Sequence, residues 1–274
     1  MTGVLKKQAK FILGQLILTN LLTTGCASKL DKAKNIAAPA GLKSKIIQTS
    51  NFKLQTFYHI KKKGDPLTVY IEGDGLAWRT LNQPSNNPTP RNPIALRLAA
   101  IDESQNLMYL ARPCQYVDLI NEKLCSIPYW THKRFAKQVI IAMNDAITTM
   151  SKRAKSHNIH LIGYSGGGAI VAMIAAIRKD IASIRTIAGY MDHVSLNRKE
   201  NVSQLTGSLD PMKAAPRLKS VPQIHYSGRK DKRVPGWVLL NFRKAVGGGN
   251  CINLKKVDAS HEEGWEEIWR RVWS

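Results

Sequence analysis

Residues 159–170 read Ile159-His160-Leu161-Ile162-Gly163-Tyr164-Ser165-Gly166-Gly167-Gly168-Ala169-Ile170. An apolar run typical of a strand leads into the segment, and a run of small residues typical of a helix leads out of it. Between the two lies a Gly-x-Ser-x-Gly motif centred on Ser165. A strand-to-helix turn this sharp needs glycine at both ends, because a Cβ atom there would clash with the neighbouring strand or helix. The pattern predicts a serine that stands clear of the sheet, facing the unpaired N–H groups of the helix that follows.

A glycine-rich turn between a strand and a helix can also bind phosphate. This segment lacks the Lys-Ser/Thr pair of a P-loop and the acidic residue that follows a dinucleotide-binding turn. A nucleophilic serine is therefore the interpretation that the motif and its setting favour.

Predicted strands alternate with helical segments along the rest of the chain, which favours a mainly parallel sheet. The predicted strands outside the motif lie at 46–49, 52–58, 67–71, 107–110, 183–189, 223–228 and 252–257. Catalytic groups in such sheets gather at the carboxyl ends of the strands. Ser165, Asp231 and His261 each follow a predicted strand, so we expect the three side chains to converge.

The chain order serine, aspartate, histidine resembles that of the α/β-hydrolase superfamily, and the resemblance extends over residues 42–274. It implies an α/β fold with a mainly parallel central sheet, helices on both faces and no large lid domain. It also implies catalytic roles for three side chains. Ser165 would be the nucleophile, His261 the general base, and Asp231 the acid that orients the histidine.

The same resemblance implies an oxyanion hole built from backbone N–H groups. Gly166 would supply one donor. The other would come from the loop after the strand at 67–71, with Asp74 as the first choice and Gly75 as the second. This chain has Glu72-Gly73 where the superfamily commonly has His-Gly, so the identity of that donor stays open.

A second candidate exists for the acid. Asp192, which His193 follows, comes after the strand at 183–189, and the superfamily sometimes takes its acid from that strand. Asp192 and Asp231 are therefore alternatives at the sequence level.

Residues 1–25 have the features of an export signal: three lysines, a short apolar run and then small residues. The segment Leu22-Thr23-Thr24-Gly25-Cys26 resembles a bacterial lipobox, with Thr23 where leucine is usual. The resemblance implies cleavage before Cys26 and attachment of lipid to its sulfur. Ala27 follows where a retention signal would have aspartate, which favours the outer membrane, facing the periplasm.

Residues 26–41 are small, charged and punctuated by proline and glycine, which predicts a flexible tether to the hydrolase-like domain at 42–274. Among the cysteines, Cys114 and Cys125 bracket a short segment and are placed to form a disulfide in an oxidising compartment. Cys251 is then the odd one, and we expect it to be buried. Three free thiols in a cytosolic chain are the alternative, against which the export signal argues.

The chain has 274 residues and a formal net charge of +22, which draws it to anionic surfaces. It shows no zinc-ligand spacing and no nucleic-acid-binding motif, so we expect no metal, no cofactor and no nucleic acid partner. We expect a monomer that acts on a small-molecule or lipid ester.

Two functions of different classes follow. The first is an envelope-anchored serine hydrolase that cleaves carboxylic esters. The second is a non-enzymatic lipoprotein that keeps the fold and holds an anionic partner on its basic surface. Thioester, acyl-transfer and peptide chemistry also stay open, because the loops at 76–93, 112–130 and 190–220 decide the substrate.

Overall fold

A computed structural model describes residues 28–80 and 82–273, which fold into one eight-stranded sheet with helices packed on it. The predicted export signal at residues 1–25 and Cys26 of the lipobox-like segment lie outside the described residues. The strands are β1 (Lys43–Gln48), β2 (Lys53–Ile60), β3 (Leu67–Ile71), β4 (Asn106–Leu110), β5 (Ile159–Tyr164), β6 (Ile181–Ile187), β7 (Gln223–Gly228) and β8 (Ile252–Val257). The helices are α1 (Lys29–Ala37), α2 (Ile94–Ala99), α3 (Lys137–Ala154), α4 (Gly166–Ala175), α5 (His193–Lys199), α6 (Pro211–Ala214), α7 (Trp237–Val246) and α8 (Trp265–Trp273), with 3₁₀ turns at Ile127–Trp130 and Ala215–Leu218.

The strand order across the sheet is β1-β2-β4-β3-β5-β6-β7-β8. The first two strands form an antiparallel hairpin whose innermost pair is Gln48 with Lys53, and β2 is also antiparallel to β4. From β4 to β8 every neighbouring pair is parallel. The prediction of a mainly parallel sheet is confirmed.

Two apolar layers cover the sheet, one on each face. The first contains the buried sides of α3, α4 and α7, and the second contains those of α1, α2 and α8. The central strands β3 and β4 are buried along their whole length, as expected for strands covered on both faces. The carboxyl ends of the parallel strands therefore form one edge, on which the connecting loops lie.

The expected flexible tether is corrected by the structure, because residues 29–37 form helix α1. Ser28 begins this helix with a capping box, in which its hydroxyl accepts from the N–H of Asp31 and the Asp31 carboxylate accepts in return. Ala33 and Ala37, four residues apart, are buried on the face that packs against α2. Short alanine side chains are typical of a flexible tether. Here the four-residue spacing places the two alanines on one helix face, which lets α1 approach α2 closely.

The disulfide between Cys114 and Cys125 is present, as predicted. Cys251 is a free thiol and is partly exposed rather than buried, which corrects that expectation. It directly precedes β8, which lies at the edge of the sheet formed by the described residues. No helix within the described ranges is long and apolar enough to cross a bilayer.

Candidate active site

Ser165 lies on the turn between β5 and α4, with a positive φ of 50° that non-glycine residues seldom adopt. The glycines on either side make the turn possible. A Cβ on Gly163 would lie 2.4 Å from the carbonyl oxygen of Gly167, and one on Gly167 would lie 2.3 Å from that of Ile71. The predicted reason for glycine at both positions is thus confirmed, and the turn presents the serine at the edge of the sheet.

His261 contacts both of its predicted partners. Its Nε2 lies 3.0 Å from the Oγ of Ser165, and its Nδ1 lies 2.9 Å from Oδ2 of Asp231. With the ring proton on Nδ1, the histidine donates to the carboxylate and accepts from the serine hydroxyl. This is the geometry that a general base needs, because proton transfer requires heavy atoms at hydrogen-bond distance.

The Asp231 side chain is fully buried and held at both oxygens. Its Oδ2 faces His261, while its Oδ1 accepts from the backbone N–H groups of Arg233 and Val234, at 2.9 Å each. The loop after β7 thus holds the carboxylate at hydrogen-bond distance from the imidazole.

Asp192, the alternative acid, is engaged elsewhere. Its Oδ1 accepts from the N–H of Ser195 at 3.0 Å and caps α5, and its Oδ2 accepts from the side-chain amide of Asn241 at 2.9 Å. The hydrogen bond from His261 therefore distinguishes two residues that the sequence left as alternatives.

The backbone of His261 is held by two side chains to which the sequence analysis gave no role in the site. Its carbonyl oxygen accepts from the Tyr164 hydroxyl at 2.9 Å and from the Trp265 indole at 3.0 Å. Trp265, Trp269 and Trp273 lie four residues apart, a spacing that predicts one apolar helix face packed on the sheet. Trp265 is buried like Trp269. The side chain of Trp273, the third member, lies outside the described part.

The loop after β3 offers few free N–H groups to an oxyanion. That of Gly73 is used, since it donates to Glu72 Oε1 at 3.0 Å. Gly75 lies against the neighbouring loop, where a Cβ would come within 2.2 Å of the Pro88 carbonyl oxygen. A Cβ on Gly73 would lie 3.3 Å from that of Ser165, so this loop passes beside the nucleophile. The N–H of the next residue, Asp74, stays the first candidate for the donor.

The side chain of Asp74 lies against the second candidate donor. A Cβ on Gly166 would come within 2.1 Å of Asp74 Oδ1, so only glycine fits there. Arg112 binds that oxygen at 3.1 Å, and Arg134 binds Oδ2 at 3.0 Å. The sequence analysis placed Arg112 in a loop expected to help decide the substrate, but nothing near Arg134 indicated this contact.

Glu72, which occupies the position where the α/β-hydrolase superfamily commonly has histidine, is buried beneath the loop after β3. It accepts from the N–H groups of Gly73 and Ala95 and from the Tyr109 hydroxyl. Burial outweighs these hydrogen bonds and raises the pKa of Glu72 to about 7. Glu72 thus acts as a buried anchor for the start of this loop.

No family model matches the sequence, and no curated protein matches it significantly. Solved structures do match. An esterase of Pyrococcus furiosus aligns with a TM-score of 0.58 and 13% identity, over 86% of this chain and 92% of that one. The chain has the α/β-hydrolase fold. A membrane phospholipase A described as a bacterial virulence factor aligns with a TM-score of 0.61 and 13% identity, over 89% and 88% of the two chains.

A third solved structure with the α/β-hydrolase fold is a serine hydrolase homologue from Coxiella burnetii. It aligns with a TM-score of 0.55 and 15% identity, over 85% of this chain and 97% of that one. Structural similarity at this low sequence identity defines the fold alone. The chemistry has to be inferred from the side chains at the site.

Proposed function

We propose that the protein is a serine hydrolase that cleaves carboxylic ester bonds through an acyl-enzyme on Ser165. The observation that carries the proposal is the hydrogen-bonded path from Asp231 through His261 to Ser165, with 2.9 and 3.0 Å between heavy atoms. A scaffold that only binds a partner has no need of these three side chains in this register. The esterase and the phospholipase A that share the fold are consistent with an ester or lipid substrate.

In the proposed mechanism, His261 takes the hydroxyl proton as Ser165 Oγ attacks the ester carbonyl carbon. The resulting oxyanion accepts hydrogen bonds from the N–H groups of Asp74 and Gly166, each worth about 10²–10³ in rate. His261 then gives its proton to the departing alkoxide, which leaves as an alcohol. A water molecule, deprotonated by the same histidine, attacks the acyl-enzyme and releases the carboxylic acid.

Hydrolysis of p-nitrophenyl esters by the purified protein tests the proposal. We expect turnover by the wild type and by Ser50→Ala, which alters an exposed serine away from the motif. Ser165→Ala should lose at least about 10³-fold in kcat.

Asp231→Asn should lose about 10³–10⁴-fold in kcat, because the amide favours the wrong tautomer of His261. Asp192→Asn should keep its kcat.

A series of acyl chain lengths in the same assay defines the substrate class. Wild-type protein that hydrolyses no ester, or Ser165→Ala that hydrolyses esters as fast as the wild type, would contradict the proposal. The first result would favour the alternative of a basic lipoprotein that binds an anionic partner.

We further propose that the hydrolase is anchored through lipid on Cys26 and faces the periplasm from the outer membrane. The lipobox-like segment and the basic, apolar export signal support this placement. Three acyl chains on one cysteine would hold the protein firmly, since each buried CH₂ contributes about 0.8 kcal/mol.

A further inference from the structure

Arg112 ties three chain segments together beside the nucleophile. Its Nη1 donates to Asp74 Oδ1 at 3.1 Å, and its Nη2 donates to the backbone carbonyl of Arg134. The side chain is only 5% exposed, so the guanidinium makes these contacts away from water. The loop after β3, the loop after β4 and the segment before α3 therefore meet at one side chain.

A second side chain of the same loop holds the residue before Asp74. Gln115 Nε2 donates to the carbonyl oxygen of Gly73 at 3.1 Å, and its Oε1 accepts from the N–H of Arg112 at 3.1 Å. Gly73 is thus bound at its carbonyl and Asp74 at its carboxylate. Both ends of the peptide that carries the Asp74 N–H are fixed from the loop after β4.

That loop is itself constrained. Cys114, between Arg112 and Gln115, has a positive φ of 69°, as does Tyr116 at 59°. The disulfide from Cys114 to Cys125 closes the segment. We call Arg112, Gln115 and this disulfide the oxyanion brace.

The contact between Asp74 and Gly166 connects the oxyanion brace to the turn that carries Ser165. Asp74 Oδ1 lies so close to Gly166 that a Cβ there would be 2.1 Å away. Any rotation of the Asp74 peptide would therefore move its carboxylate either into the nucleophile turn or away from Arg112 and Arg134. Two cations also offset the negative charge of Asp74, which would otherwise oppose an oxyanion forming nearby.

We propose that Arg112 and Gln115 are positioning residues that aim the Asp74 N–H at the oxyanion, and that the Cys114–Cys125 disulfide maintains this arrangement. The proposal rests on the proposed hydrolase function. Because the oxyanion exists only in the transition state, loosening the brace should lower kcat and leave KM nearly unchanged.

Arg112→Lys tests the proposal, since a lysine cannot contact Asp74 and the Arg134 carbonyl with one planar group. We expect kcat for ester hydrolysis to fall about 10- to 100-fold with little change in KM, less than the loss of a whole oxyanion donor. Arg178→Lys is the matched control. Arg178 is similarly covered and binds Asp180 through two nitrogens, after the carboxyl end of α4. It should lose thermal stability and keep its kcat.

Reduction of the disulfide in the otherwise unchanged enzyme is the second measurement, and it does not depend on the folding of Arg112→Lys. Treatment with a phosphine reductant followed by alkylation should lower kcat, equally in Cys251→Ser, which removes the free thiol of the described residues. Unchanged kcat in both Arg112→Lys and the reduced enzyme would overturn the positioning role while leaving the hydrolase proposal intact. A wild type that hydrolyses no ester would overturn both.

Discussion

At the scale of single residues, the candidate site depends on the backbone conformation of Ser165 and on contacts between side chains that are far apart in the chain. Ser165 has a positive φ on a turn that needs glycine on both sides, and this requirement was visible in the sequence because the Gly-x-Ser-x-Gly spacing marks it. The contact between Arg134 and Asp74 was not visible, since sixty residues separate them and no spacing rule joins them. Periodicity predicts which face a residue occupies, but not which distant side chain it will meet.

Glu72 gives the stability of the protein a pH dependence. Its pKa is about 7 in the folded state against 4.5 for an ordinary glutamate, so between these values the folded state binds the additional proton. The free energy of unfolding should therefore fall by about 3 kcal/mol as pH rises from 4.5 through 7. Glu72→Gln, which stays neutral, should lack this fall.

Urea denaturation of both proteins between pH 4.5 and 8 measures the difference. His225, whose pKa burial lowers to about 3, acts in the opposite sense below pH 6.5 but is common to both proteins and cancels. Parallel stability curves for wild type and Glu72→Gln would show that Glu72 does not titrate in this range.

At the scale of elements, the sequence predicted the bounds of the strands more accurately than the structure of residues 26–41, which precede the first strand. The bounds of β3, β7 and β8 agree with the prediction, because each is an apolar or alternating run ended by glycine or charged residues. Helix α1 was missed, although its capping box was present in the sequence. Its composition resembles a linker, and its stability comes from packing on α2, which no local pattern indicates.

Besides packing on the sheet, helix α8 holds the backbone of His261 through Trp265, and this contact leads to a prediction. Trp265→Phe keeps an aromatic ring in the buried position but removes the donor to the His261 carbonyl. One hydrogen bond of about 1 kcal/mol corresponds to about fivefold, so kcat should fall by that factor with KM unchanged.

Trp269→Phe is the matched control on the same helix. It loses a hydrogen bond to the Tyr70 hydroxyl, on β3 rather than in the histidine loop. It should lower the melting temperature without changing kcat. Equal kcat values in the two variants would show that α8 only packs.

At the scale of the whole molecule, we propose from the net charge of +22 and the proposed lipid anchor that the protein lies at an anionic membrane surface. In bacterial cells given labelled palmitate, the wild type should incorporate label and fractionate with the outer membrane. Cys26→Ser should do neither, while Cys251→Ser should behave like the wild type. Label that persists in Cys26→Ser would reject the lipobox interpretation.

The proposed function depends on a reactive Ser165, and the reaction of this serine with a fluorophosphonate measures that reactivity. Intact mass spectrometry of the purified protein should show one phosphonyl group per chain, and peptide mapping should place that group on Ser165. The reaction should be lost in Ser165→Ala and strongly slowed in His261→Ala, but not in His157→Ala, which alters an exposed histidine. A wild-type protein that stays unmodified, or an equally fast reaction in His261→Ala, would show that His261 does not activate Ser165 as a nucleophile.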